Sequence, residues 1–246
     1  HFLNFVRHHD ELNLQQLNNK ERKVVLDSFA PDDDMRIYKN EGIKRELPTM
    51  LNNDMARIKL TYILIFSLPG SPMLHYGEEL GMGDDLKRKD RFSIRIPMQW
   101  NDQLHGGFSS APMQQLYCSP LFHGDYSYAK VNVEKQKKEH DSLYHFMAAL
   151  IKTRKGCLEI GEGKWTVTNV GNDKLLAIQY ELDQQLLITI CNLSSKNEKG
   201  KFPEAISSKS PFLEILSDSK YSKIDEEFTV NAYGYRWLKF SIHKII

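Results

Sequence analysis

The chain has 246 residues, 41% of them hydrophobic and 11% aromatic, enough for one large domain or two modest ones and too much for global disorder. Its 33 basic and 32 acidic residues leave a net charge of +1, which gives no electrostatic case for binding nucleic acid or an anionic membrane. The longest apolar run, "YILIFSL", is far too short to span a bilayer, and no charged segment precedes an apolar core as a signal peptide requires.

In chain order, "HFLNFV" (residues 1–6) reads as a short strand that runs into the polar cluster Arg7, His8, His9, Asp10 and Glu11. "NKERKVVLDSFA" (19–30) is a helix stopped by Pro31, and "PDDDM" starts a turn. "NDMARIKLTYILIFSLPG" (53–70) is a second helix, capped by its Asn/Asp start, apolar nearly all round in its second half and ended by Pro69 and Gly70. "SPMLHYG" (71–77) is expected as a short buried strand with "EELGMGDD" as its polar exit, an order typical of a parallel α/β fold. Residues 82–140 have little periodicity but seven aromatics, which argues for an ordered, functional loop.

"DSLYHFMAALIKTRKG" (141–156) is the clearest helix. Leu143, Phe146, Met147, Leu150 and Ile151 share one face, Asp141 or Ser142 caps the start, and Gly156 suits a left-handed stop. Beyond Gly156, "GKWTVTNV", "KLLAIQYEL", "QQLLITICNL", "SPFLEIL" and "YRWLKFSI" are short β-rich runs that read as an all-β sandwich domain. Cys118, Cys157 and Cys191 are far apart, as expected of buried free thiols in a reducing cytosol.

The opening cluster admits three readings: an active-site patch at the end of a buried strand, a metal site, or the start of a solvated loop. The strand-end position favours the first. Adjacent residues of an extended strand face opposite ways, so His8, His9 and Asp10 cannot converge while extended.

Six segments, "FVRHHDEL", "LPGSPMLHYGEELGMGDD", "RIPMQW", "GGFSSAP", "VNVE" and "YGYRWLKF", together resemble the C-terminal part of the α-amylase-family glycoside hydrolases. Within that family the trehalose synthases (maltose α-D-glucosyltransferases) are most similar and α-glucosidases next. The resemblance is specific over residues 1–155 and weaker beyond. It implies a mixed α/β plus all-β chain: strands seven and eight of a (β/α)8 barrel with their helices (1–155, including a long lid loop at 82–140), then a β-sandwich domain (156–246). It also implies retaining chemistry through a glycosyl-enzyme intermediate.

By motif, Asp10 is the carboxylate that stabilises the transition state and His9 the histidine that hydrogen-bonds the sugar. His8 and Arg95 fall among substrate-binding positions. The family's nucleophile and general acid/base belong to strands four and five. Neither is expected in this chain, which looks like the last part of a larger enzyme, inactive alone. Maltose, trehalose or another α-glucoside is the implied ligand, with no cofactor. The incomplete barrel gives an edge for self-association, and a cytoplasmic location is expected. A non-catalytic carbohydrate-binding or structural remnant is the reading from a different class.

The chain departs from the family at His8, where Asn is usual, at Phe92 for an Asp and at Ile96 for a Thr. Other residues keep two readings. Glu78 and Glu79 anchor a loop or bind substrate, with the first favoured. Arg95 orients Asp10 or touches the acceptor sugar, or else pairs with Asp84 or Asp85. Trp100 packs in the core or stacks on a sugar, with the first favoured. His105 and Phe108 close over the site or pack the loop. Asp84, Asp85 and Asp90 are oxygen ligands of the kind Ca²⁺ takes, but nothing in the sequence fixes their geometry.

Overall fold

The computed structural model describes residues 2–207, 212–221 and 227–241. Of the expected strands, His1, the Ser210 and Pro211 start of "SPFLEIL", and Ile242 lie outside the described residues.

Strand β1 (Leu3–Asn4) is followed by β2 (Leu12–Asn13) and helix α1 (Asn19–Phe29). Helix α1 forms where the sequence supplies its start: the Asn18 side chain accepts from the Lys20 and Glu21 amides, and Glu21 reaches back to the Asn18 amide. Strands β3 (Arg36–Ile37) and β4 (Gly42–Ile43) form a hairpin, and β2 adds to it as a three-stranded sheet in the order β2-β4-β3. Short α2 (Leu47–Met50) carries Pro48 in its first turn. Asp54 caps α3 (Met55–Ser67) by accepting from the Ala56 and Arg57 amides.

Strand β5 (Ser71–Pro72) pairs parallel with β1, in the register Leu3↔Ser71 and Asn4↔Pro72. Both strands are shorter than expected. Gly70, at φ +110°, makes the turn between α3 and β5; a Cβ there would sit 2.7 Å from the Phe2 carbonyl oxygen. The long 82–140 segment is a chain of 3-10 turns ending in α4 (Val133–Lys138), capped by Asn132.

Helix α5 (Leu143–Lys155) buries Leu143, Met147 and Leu150, three of the five residues expected on its inner face. Ser142 supplies its cap by accepting from the His145 amide. The expected left-handed stop at Gly156 is corrected: its φ is not positive, and its amide bonds the Thr153 carbonyl in a tight turn leading to α6 (Leu158–Glu162).

All five expected β-rich runs form strands: β6 (Lys164–Val167), β7 (Leu175–Leu182), β8 (Gln185–Asn192), β10 (Phe212–Ser217) and β12 (Tyr235–Ser241). They make one antiparallel sheet in the order β10-β12-β8-β7-β6. A second, two-stranded sheet pairs β9 (Glu198–Lys201) with β11 (Glu227–Val230), and α7 (Glu204–Ser207) follows β9. Strand β9 reads "EKGK", too polar for alternation to show it.

The chain forms two compact units. One holds the residues up to Asn4, residues 59–73 and residues from 148 onward. Its core draws on both sheets, with Ile188, Ile190 and Leu238 from the larger and Phe228 and Val230 from the smaller. The other comprises residues 5–58 and 74–147, with an apolar cluster of Leu80, Met82, Ile96 and Met98 backed by Leu121, Val131, Val133 and Tyr144. Among the described residues, no helix is long and apolar enough to cross a membrane.

Candidate active site

The polar cluster after β1 is not extended. The chain bends at His9 and Asp10, and the Asp10 amide donates to His8 Nδ1 at 3.0 Å. This bend brings the three residues together where an extended strand would separate them. Burial and the neighbouring Arg7 charge hold the His8 imidazole below its ordinary pKa, so it accepts this bond as the neutral ring. His9 is largely exposed, with Nε2 3.5 Å from Asp10 Oδ2.

Two arginines from the 82–140 segment converge on the other Asp10 oxygen. Arg91 Nη1 donates to Asp10 Oδ1 at 2.6 Å and Arg95 Nη2 donates to the same oxygen at 2.8 Å. Arg95 Nε also donates to the His9 carbonyl at 2.8 Å, and Arg91 Nη2 donates to the Tyr38 hydroxyl at 3.2 Å. Burial pushes the Asp10 carboxyl up, but the Arg91 hydrogen bond and charge, then His9 and Arg95, hold it below the ordinary aspartate value. The carboxylate is therefore kept ionised, with Oδ2 turned to the exposed His9.

Beneath this pair lies Arg7, fully buried, whose Nη2 donates to the Asp10 carbonyl at 3.0 Å. Its Nε is 4.0 Å from Glu46 Oε2, and among the described residues its Nε and Nη1 have no hydrogen-bond partner. Burial raises Glu46 to about 8, against the pull of Arg7, and raises Glu78 to about 7. Tyr38, Glu46 and Arg91 were given no role from sequence, and Arg7 was named only as a member of the opening polar cluster. Only the i, i+4 spacing of Arg91 and Arg95 hinted that both could serve one partner.

Arg95 also lines a cleft of about 760 Å³ whose wall carries Tyr76, Phe92, Trp100, Phe108 and Tyr117. The Arg95 guanidinium lies over the Phe92 ring at 5.4 Å. Trp100 is 49% exposed on this wall, which corrects the expectation of core packing. His105 is buried and bonds the Ala111 carbonyl within its loop, while Phe108 faces the cleft. Glu78 accepts from the His75 amide and Glu79 from the Gly77 amide, so both anchor their loop.

Asp84 accepts from Thr49 and the Glu46 amide, and Asp85 pairs with Arg88 at 3.0 Å. The two carboxylates thus serve separate protein donors. Among the described residues, no three His, Cys, Asp or Glu side chains are grouped to hold a metal.

Residues 10–163 match the family model described as the alpha amylase catalytic domain. The chain belongs to the α-amylase family. Trehalose synthase of Thermus thermophilus is 34% identical over 94% of this chain and 24% of its own length. Trehalose synthase/amylase of Mycobacterium tuberculosis (strain ATCC 25618 / H37Rv) is 32% identical over 98% of this chain and 41% of its own. The chain thus spans between a quarter and two fifths of the length of these α-amylase-family relatives.

Solved structures agree on the fold. Trehalose-6-phosphate hydrolase of Bacillus licheniformis superposes with a TM-score of 0.65 at 19% identity, over 97% of this chain and 43% of that one. The α-amylase from H. orenii gives 0.62 at 22% identity, over 80% and 38%. Both neighbours are (β/α)8-barrel enzymes of the α-amylase family, and this chain superposes on part of each.

Proposed function

We propose that these residues form the C-terminal portion of a retaining α-glucan-active barrel of the trehalose synthase type, followed by a β-sandwich domain. The parallel β1–β5 pair would supply strands seven and eight. The observation that carries the reading is the convergence of Arg91 and Arg95 on one oxygen of Asp10. A carboxylate held ionised in this way suits a group that meets positive charge developing on a sugar ring in the transition state.

Asp10 would stabilise the oxocarbenium-like state, with His9 hydrogen-bonding the sugar and His8 and Arg95 shaping the substrate pocket. The complete enzyme would cleave maltose, hold the released glucose and rejoin it as trehalose, with water kept out so that the intermediate is not hydrolysed. No cofactor is needed for this chemistry. The nucleophile and acid/base would come from barrel strands outside these 246 residues. The free thiols suit a reducing cytoplasm.

Incubating the purified 246-residue polypeptide with maltose and separating the products tests the reading. The expected result is no trehalose or glucose above a buffer blank, because bond cleavage needs the absent pair. Product formation would overturn the division of catalytic groups. An α-1,4- or α-1,6-glucosidase is the second reading, favoured by the oligo-1,6-glucosidase of Bacillus cereus, 23% identical over 69% of this chain. A complete enzyme that yields only glucose from maltose would select it.

A further inference from the structure

The concave surface between helix α1 and the β3–β4 turn differs in charge from the chain as a whole. Arg22, Lys23, Arg36 and Lys39 line a pocket of about 330 Å³ there, with Asn19 and Asn40. Asp27 is the one carboxylate among its described lining residues, in a chain whose net charge is only +1. That volume lies at the low end of small-ligand clefts, which run from roughly 300 to 1,000 Å³.

The cations are placed in different ways. Arg36 is held rigid: Nε donates to the Ala30 carbonyl at 2.7 Å and Nη2 to the Pro31 carbonyl at 2.6 Å. Its ion pair with Asp33 is 3.3 Å long, and Asp33 is almost wholly in solvent, where its charge is screened. Arg22 Nη2 donates to the Leu17 carbonyl, while its buried Nε has no hydrogen-bond partner among the described residues. Lys23 pairs with Asp27 at 2.8 Å, an exposed i, i+4 pair whose small net strength lets a ligand anion compete for the ammonium.

Lys39 is carried on a turn in which Tyr38, Lys39 and Asn40 all have left-handed φ, at 53°, 54° and 72°. Three successive non-glycine residues in that region are costly, and such strain persists only where the surroundings hold it.

We propose that this pocket binds the phosphate group of a small polar metabolite such as a phosphorylated sugar. Planar guanidinium groups and a mobile ammonium match a tetrahedral oxyanion through charge-assisted hydrogen bonds. Leu26 is the only apolar residue among the described lining residues, so the remainder of the ligand must itself be polar, with Asn19, Asn40 and Asp27 as its hydrogen-bonding partners. The same turn carries Tyr38, whose hydroxyl accepts from Arg91, so an occupant sits one residue away from a partner of the Asp10 pair. The proposal does not depend on the role assigned to Asp10.

The test uses the 246-residue chain itself. Backbone amide signals of residues 19–27 and 36–41 are followed by NMR during titration with inorganic phosphate, glucose 6-phosphate and glucose. Both phosphates are expected to shift these signals, glucose to leave them in place, and added sodium chloride to weaken binding. Tighter binding of glucose 6-phosphate than of phosphate assigns a role to the polar rim; equal binding assigns the site to the phosphate group alone.

Lys39→Gln, on an exposed turn, and Arg22→Gln, with its fold checked by the same spectra, should each weaken phosphate binding roughly tenfold. Absence of phosphate-induced shifts, unchanged affinity in both variants, or the same shifts with glucose would overturn the proposal.

Discussion

Arg91 Nη1 lies 2.6 Å from Asp10 Oδ1, a contact made across 81 residues of chain. Arg95 reaches the same oxygen, so one Asp10 oxygen is occupied by protein and the other faces His9. Removing Arg91 by Arg91→Gln should therefore raise the Asp10 pKa, with Arg95 left to hold it below the ordinary value. Carboxyl NMR of the purified chain reads this directly, and an unmoved Asp10 titration would show that Arg91 does not set it. In a complete enzyme, Asp10→Asn should lower kcat by roughly three orders of magnitude with the fold intact, because the charge is used mainly in the transition state.

Glu46 and Glu78 set a pH dependence of stability. Both carboxyls are raised on folding, Glu46 from 4.5 to about 8 and Glu78 from 4.5 to about 7. The folded state thus binds their protons more tightly than the unfolded one. Their contribution is fully present below the unfolded value and is lost as pH rises through the folded values. Thermal unfolding should therefore shift to lower temperature between about pH 5 and about pH 8. The depressed Asp10 works in the opposite sense, losing its contribution as pH falls below its ordinary 3.8. Glu46→Gln should flatten the decline between the two higher pH values; an equally steep decline in that variant would assign it to other groups.

The three thiols should react at different rates. Cys118 is partly exposed on the cleft wall, whereas Cys157 and Cys191 are buried, with pKa values raised by burial to about 11 and about 12. A neutral thiol reagent should modify one cysteine quickly and the other two only on unfolding. Peptide mapping identifies which one. Fast labelling of Cys191 would mean that its sheet opens readily.

Leu3 in strand β1 and Phe2 just before it are 65% and 75% exposed. A strand with one partner among the described residues, flanked by exposed apolar side chains, favours edge-to-edge association, so the chain should self-associate with rising concentration. Leu3→Lys should reduce this in sedimentation experiments. A monomer at all concentrations, with or without the substitution, would remove the edge as an interface.

The sequence by itself determined the elements whose causes are local. The Asn18–Glu21 capping box starts α1, Asp54 and Ser142 cap α3 and α5, and short β-rich runs mark the five strands of the large sheet. Each of these signals acts within about four residues, so the chain order alone carries it. Membership of the α-amylase family was likewise legible, because motif resemblance also reads contiguous residues.

The tertiary structure decided everything that needed a distant partner. It chose Arg91 together with Arg95 for Asp10, and it put Arg7 beside Glu46. It paired polar β9 with β11, and it turned Trp100 outward to the cleft. A charged or aromatic side chain has the same local propensity whether it is buried, paired or exposed. Which of these it becomes depends on the surface that folding brings against it, and no spacing along the chain encodes that surface.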